Sequence, residues 1–202
     1  MRLFFFVLAF LISMDLLAQD ERKDTLIVLE NYSVLYSQRY LQPLTIEYEV
    51  ICPIDNKKRR ECSSNFTYYR CNNIKTSRHE HYKELDMYSI WDKGHMAPRQ
   101  SLACNCESVK ETFSFLNCAL QHKDLNRHGV WRDLEDVELE LAKSNNVSVM
   151  IEVEYTDTSN FLVDALIPSG FFKTIVLNGD SVKYFFKNSK PEYDNLNYYL
   201  IK

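Results

Sequence analysis

Apolar and polar positions alternate most clearly over residues 44–51, where Leu44, Ile46, Tyr48 and Val50 share one face and Thr45, Glu47 and Glu49 the other. That two-residue period predicts a half-buried strand. Residues 147–155 repeat it, with Val147, Val149, Ile151, Val153 and Tyr155 set against Ser148, Met150, Glu152 and Glu154, so a second strand with one wet face is expected. Apolar runs at 161–167 and 171–177, then Asn178-Gly179 ahead of Val182 to Phe186, predict further strands and a hairpin, because Asn-Gly supplies the positive φ angles of a type I′ turn. Between these strands the period changes. Trp131, Leu134, Val137, Glu138 and Leu141 fall three or four apart, which predicts an amphipathic helix from His128 to Lys143. No repeat, low-complexity tract or Pro/Gly/Ser linker divides the chain, and the expected architecture is one antiparallel α+β domain.

Composition narrows the chemistry. A chain of 202 residues that is 46% hydrophobic and 13% aromatic can bury a proper core. Its four glycines, Gly94, Gly129, Gly170 and Gly179, cannot build the Gly-rich phosphate cradles of dinucleotide or P-loop proteins, and no G-x-S-x-G elbow is present. A net charge of −4 gives no overall basic footprint, so a polyanion would have to meet a local patch. Such a patch exists: residues 57–99 hold ten Lys/Arg against five Asp/Glu, whereas residues 133–164 hold nine acids and one lysine. For most of Asp133 to Glu140, a solvated helix face accounts for the charge.

Arg2, the apolar run Leu3 to Ile12, and Leu16-Leu17-Ala18 before Gln19-Asp20-Glu21-Arg22 form a signal-peptide pattern, with cleavage expected near Ala18. Residues 1–18 are thus read as a leader and 19–202 as the mature domain, secreted or periplasmic, with no membrane span. The six cysteines (Cys52, Cys62, Cys71, Cys104, Cys106 and Cys118) all follow the leader, so disulfides are expected, with fifteen ways of forming three bridges. A direct Cys104–Cys106 bridge would strain the disulfide geometry. Zinc is the alternative, with Cys104-x-Cys106 and His79-x-His81 as ligands, although neither pair has the usual cysteine spacing of a zinc site.

The densest chemical signature starts at Trp91-Asp92-Lys93-Gly94-His95-Met96-Ala97-Pro98. It continues through Phe113-Ser114-Phe115-Leu116-Asn117-Cys118-Ala119-Leu120-Gln121, then Leu125-Asn126, then Trp131-Arg132-Asp133-Leu134-Glu135. In this order the blocks resemble the DNA/RNA non-specific endonuclease family of ββα-metal, or His-Me finger, nucleases. Gln42-Pro43 and Ile167-Pro168-Ser169-Gly170-Phe171-Phe172-Lys173 extend the likeness over almost the whole mature chain. The resemblance implies an α+β fold with an antiparallel sheet core and a ββα-metal finger. It also implies Mg²⁺-dependent (or Mn²⁺-dependent) hydrolysis of DNA and RNA, leaving 5′-phosphate and 3′-hydroxyl ends.

The residue types suit that chemistry on their own terms. Phosphodiester hydrolysis needs an activated water and a cation to neutralise the charge that develops on phosphate. His95 is the general-base candidate, because imidazole, with an ordinary pKa of about 6.5, is well suited to proton transfer near neutrality. Gly94 beside it is expected to let the backbone approach substrate. His79, His81, His122 and His128 are read as structural. Asn126 would be a helix cap or turn residue if it were structural. The resemblance makes it the metal ligand, and an amide oxygen suits Mg²⁺, a hard cation that keeps several waters. The resemblance also has Glu135 accept a hydrogen bond from a metal-bound water and gives Asn117, Gln121 and Asp92 supporting places around the histidine and the metal. Asn117 and Gln121 could equally be satisfying backbone groups at a strand end.

Lys93 stands where the family has arginine, so a bidentate fork on phosphate becomes a point charge. The spacing from Asn126 to Glu135 is one residue longer than in the family pattern, and Leu120 replaces a proline. For the family's upstream arginine, Arg60 is chosen, with Arg59, Arg70 and Arg78 as rivals; Arg78 and Arg99 are also candidate substrate contacts. The alternative to an active nuclease is a weak or silent relative that binds nucleic acid or serves as an interaction scaffold.

Overall fold

The computed structural model describes residues 23–51, 62, 65–69, 73–82, 89–162 and 164–201. The expected leader at 1–18, Arg60 with its rivals Arg59 and Arg70, and two of the cysteines, Cys52 and Cys71, lie outside the described residues. Strands β1 (Asp24–Val28), β2 (Tyr32–Ser37) and β3 (Gln42–Glu49) are followed by the short β4 (Trp91–His95) and β5 (Cys118–His122), which are separated by helices α1 (Arg99–Leu102) and α2 (Cys106–Thr112). Next come α3 (Lys123–Asn126), α4 (Val130–Ala142), β6 (Val147–Glu154), β7 (Phe161–Leu162), β8 (Ala165–Leu166), β9 (Gly170–Leu177) and β10 (Asp180–Lys187).

Six of the strands form one antiparallel sheet in the order β1-β2-β3-β6-β9-β10. Its alternating positions bury one face: Val34, Tyr36, Ile46, Tyr48, Val149, Ile151, Phe171 and Ile175 pack with Trp131 and Leu134 of α4 and with Met96, Ala97, Leu102 and Leu116. The predicted helix therefore lies on the sheet, opening at Val130 rather than His128 because Gly129 makes the turn before it. A side chain at Gly129 would meet the Asp124 carbonyl oxygen at 2.6 Å, so only glycine fits so close to α3. The hairpin forms as expected, with φ of 52° at Asn178 and 93° at Gly179. The 161–167 run does not form one strand. It folds on itself, β7 pairing with β8 through Asp164, whose polar side chain breaks the apolar run.

β4 and β5 pair antiparallel with each other and are followed by α3 and α4, giving a ββα unit. The outer edge of β5 is completed by two buried amides rather than by another strand. Leu120 N–H donates to Gln42 Oε1 (3.0 Å) and His122 N–H to Asn188 Oδ1 (2.8 Å), while Asn188 Nδ2 donates to the Leu120 carbonyl (2.9 Å). These contacts dock the unit against residues from both ends of the domain.

Cys62 is bonded to Cys106 across 44 residues, fastening the start of α2 to the chain leading into Phe66, and Cys104 is also disulfide-bonded. Thiolates committed this way are not available as the zinc ligands considered above. The expectation that every cysteine is bridged fails at Cys118, which is free, fully buried on β5, and pushed by burial to a pKa of about 12. Mass spectrometry after alkylation should therefore find Cys118 labelled only once the protein is denatured. Replacing Cys62 and Cys106 with serine should cost about 2–4 kcal/mol of stability in urea titration, mostly through the unfolded state. Labelling of native Cys118, or unchanged stability in the double variant, would contradict this account.

Candidate active site around His95 and Asn126

His95 ends β4 with its ring wedged between two phenyl groups, 4.8 Å from the Phe66 centroid and 4.5 Å, edge to face, from that of Phe113. Its Nε2 is buried and, among the described residues, has no hydrogen-bond partner. Burial first, and then the positive charge of Arg99, pull its pKa down to about 4, so the imidazole is neutral throughout the physiological range. The guanidinium of Arg99 lies 5.9 Å from the Phe113 centroid, on the next helix from His95.

The loop leaving His95 is held by Asn117, which is fully buried. Its Oδ1 accepts from Ala97 N–H (2.7 Å), its Nδ2 donates to the carbonyls of Ala97 (2.8 Å) and Thr112 (2.9 Å), and its own carbonyl accepts from Met96 N–H (3.0 Å). An amide that both donates to and accepts from the backbone of one residue fixes that residue as a neighbouring strand would. Asn117 thus satisfies the backbone of the loop that leaves His95. Asn117→Ala leaves three buried partners unmet and should cost about 2–4 kcal/mol in denaturant melts, with activity lost in the fraction still folded. A stability change below about 0.5 kcal/mol, the scatter typical of surface substitutions, would refute the clamp.

Gly94 serves a different purpose from the one expected. A Cβ there would meet Gln121 Oε1 at 2.3 Å and Gln121 Cβ at 2.7 Å, so the space belongs to Gln121 across the β4–β5 pair rather than to substrate. Gln121 is fully buried beside the site, and among the described residues neither of its amide atoms has a hydrogen-bond partner.

Asp92, Lys93 and Asn126 line one open groove together with Asn65, Phe66 and His79. Asn126 is not a cap of α4; it ends the separate short helix α3. Its Nδ2 donates to Asp92 Oδ2 (3.0 Å), which fixes the amide plane, and its Oδ1 accepts no hydrogen bond from a described residue. Asp92 is itself fixed by a fork from Arg127, Nε to Oδ2 (2.8 Å) and Nη2 to Oδ1 (2.6 Å). Burial works against the Asp92 carboxylate, yet the hydrogen bonds from Arg127 and Asn126 outweigh it and hold its pKa below the usual range. Lys93 Nζ is 5.8 Å from the Phe66 centroid. Phe66 thus touches the His95 ring and also walls the groove that holds Asn126.

Among the described residues, no group of three His, Cys, Asp or Glu side chains forms a metal cage. An oriented amide oxygen in a water-accessible groove suits a hard cation that retains most of its water, so the residues present fit Mg²⁺ or Mn²⁺.

Glu135 is not among the groove residues. It is buried on α4, accepts from Arg132 Nη1 (3.3 Å), and has its pKa raised to about 7 by burial, with Lys173 opposing and Glu138 reinforcing that rise. Next to it is a fully buried ion pair, Lys173 Nζ to Glu138 Oε1 at 2.5 Å, with Tyr48 donating to Glu138 Oε2 (2.7 Å) and the Trp131 ring 4.5 Å from the ammonium. The acidic helix is therefore only partly a solvated face. Arg78 sits over the Tyr68 ring at 5.1 Å, beside the groove residue His79. The sequence reading missed Arg127, Lys173 and the groove positions Asn65, Phe66 and His79. A signal was present only for Lys173, an unpaired charge in an apolar strand.

A comparison with curated proteins found no match. Among solved structures, the chain is similar to one described as the EndoG/EndoGI complex, concerned with EndoG inhibition. The TM-score is 0.73 with 20% identity, over 89% of this chain and 81% of that one, a likeness of fold. The model for DNA/RNA non-specific endonucleases matches residues 18–198. That span takes in the β4–β5 pair, the Asn117 clamp and the groove alike, and the chain belongs to the DNA/RNA non-specific endonuclease family.

Proposed function

We propose that this chain is a secreted or periplasmic, Mg²⁺-dependent (or Mn²⁺-dependent) endonuclease that hydrolyses phosphodiester bonds of DNA and RNA by water attack. The observation that carries this reading is a neutral histidine sharing the Phe66 wall with a groove in which Asp92 orients Asn126. His95 takes the proton of the attacking water. Lys93 brings positive charge to the scissile phosphate, and Asn126 Oδ1 would hold the cation. When bound, the cation supplies Lewis-acid stabilisation of the charge that develops on phosphate. Asp92 and Asn117 position Asn126 and His95, and Gln121 fills the space under Gly94. Glu135, buried on α4 outside the groove lining, would act in its carboxylate form by accepting a hydrogen bond from a water that the bound cation carries. Arg99, Arg78 and Arg60 are the candidate contacts to flanking phosphates. The signal-peptide pattern and the disulfides support an extracytoplasmic location; among the described residues no helix is long and apolar enough to cross a membrane.

Incubating the mature chain with plasmid DNA or RNA and Mg²⁺, with and without EDTA, tests the reading directly. EDTA-sensitive cleavage is expected. Binding without cleavage would favour the silent relative, and neither would leave only a scaffold. The pH profile gives a finer test. A carboxyl with its pKa near 7 is protonated below that pH and stops accepting, so kcat/KM should fall as pH drops through about 7, far above the His95 transition near 4. Glu135→Gln should remove that limb, and an unchanged limb in the variant would assign it to another group.

A further inference from the structure

The C-terminal segment carries a feature that the catalytic groove does not use. Tyr193 and Tyr198 stack with centroids 4.2 Å apart and planes 10° from parallel, although they are 48% and 65% exposed. Two large rings held face to face at the surface need a rigid support, and the segment supplies one. The Tyr199 hydroxyl accepts from Tyr193 N–H (3.2 Å) and donates to the Tyr193 carbonyl (2.8 Å), and Asn195 Oδ1 caps the turn through Asn197 N–H (2.9 Å). The segment is then pinned to β10, with Phe185 N–H donating to the Tyr199 carbonyl (2.8 Å) and Ile201 N–H to the Lys183 carbonyl (2.8 Å).

The stacked pair borders a groove walled by Lys187 and Lys190, and among the described residues that line it Glu192 is the single carboxylate. Leu125, the residue before Asn126, forms part of the wall, and Pro191 lies against Gly129 in the turn between α3 and α4. The platform thus continues from the back of the helix that presents Asn126.

We propose that the Tyr193–Tyr198 stack with Lys187 and Lys190 is a subsite for a single-stranded stretch of the nucleic-acid substrate, an unpaired base stacking on the tyrosines while the lysines meet its phosphates. The chemistry favours nucleic acid because exposed preorganised aromatic rings beside ammonium groups match the alternating base and phosphate of a single strand, with no sequence requirement. The proposal rests on the nuclease reading for the identity of its ligand, and binding in EDTA separates the two.

The experiment measures fluorescence anisotropy of labelled (dT)12, and of an abasic strand of equal length, with the full mature chain in EDTA. The Tyr193→Ala/Tyr198→Ala variant should bind (dT)12 at least roughly tenfold more weakly, as expected from losing one stacked base, with little change for the abasic strand. Tyr193→Phe/Tyr198→Phe should retain binding, which separates stacking from misfolding. Lys187→Ala/Lys190→Ala should lower the slope of log affinity against log salt by about 1.4, two single-strand charges. Equal (dT)12 affinity in the wild type and the alanine variant, or equal loss for both strands, overturns the subsite. If plasmid is cleaved but the tyrosines leave (dT)12 binding unchanged, the nuclease reading stands and the subsite falls. If nothing is cleaved yet (dT)12 binding depends on the tyrosines, the reverse holds.

Discussion

His95→Ala lowers kcat by roughly 10²- to 10⁴-fold, the usual cost of removing a general base, while nucleic acid still binds in EDTA with near wild-type affinity. The ring lies between Phe66 and Phe113, and among the described residues its Nε2 has no hydrogen-bond partner to strand, so the fold should survive. The loss should therefore appear in kcat rather than in the melting temperature. Cleavage within about threefold of wild type, well under the range for a lost general base, would end the assignment.

Asn126→Ala is the second large effect. It removes the amide that Asp92 and Arg127 hold in place, and it should raise the Mg²⁺ concentration for half-maximal activity by at least the ~10–100-fold that lost support of a metal site costs. Asp92→Ala should approach the same value although Asp92 is not itself the proposed ligand, because the freed amide can then turn. Arg127→Ala should have a smaller effect, since its guanidinium is half exposed and its ion pair is screened. If saturating Mg²⁺ fails to restore any of the rate lost in Asp92→Ala, the carboxylate does more than orient.

Much of this architecture was legible where a side chain's fate depends on near neighbours in sequence. β3 and β6 are legible within two residues at each end because Ile46, Tyr48, Val149 and Ile151 alternate with positions on the other face, and β9 because residues 171–177 form an apolar run. In β2 the inward residues Tyr32, Val34 and Tyr36 alternate too, but Leu35 between them blurs the period. The pattern fails at 161–167 because the apolar run is used on two short strands that fold back. His95 and Asn126 stood out through their motif. Roles set by distant partners did not: Asp92 is defined by Asn126 and Arg127, more than thirty residues away, and Glu138 looks solvated until Lys173 arrives from another strand. The fit of Gln121 over Gly94 is also invisible in the chain order, because it exists only once β4 and β5 are paired.

The two amides that finish the outer edge of β5 have a consequence for how the enzyme opens. Leu120 and His122 lend their backbone N–H groups to Gln42 and Asn188, residues 146 positions apart in the chain that belong to the central sheet and to the segment after β10. Freeing either proton to solvent means undocking that segment of the large sheet, so the ββα unit cannot fray as an independent cooperative unit. Hydrogen–deuterium exchange at Leu120 and His122 should therefore follow global unfolding, slowing in step with overall stability, while the N–H groups of the exposed loop at 157–160 exchange at once.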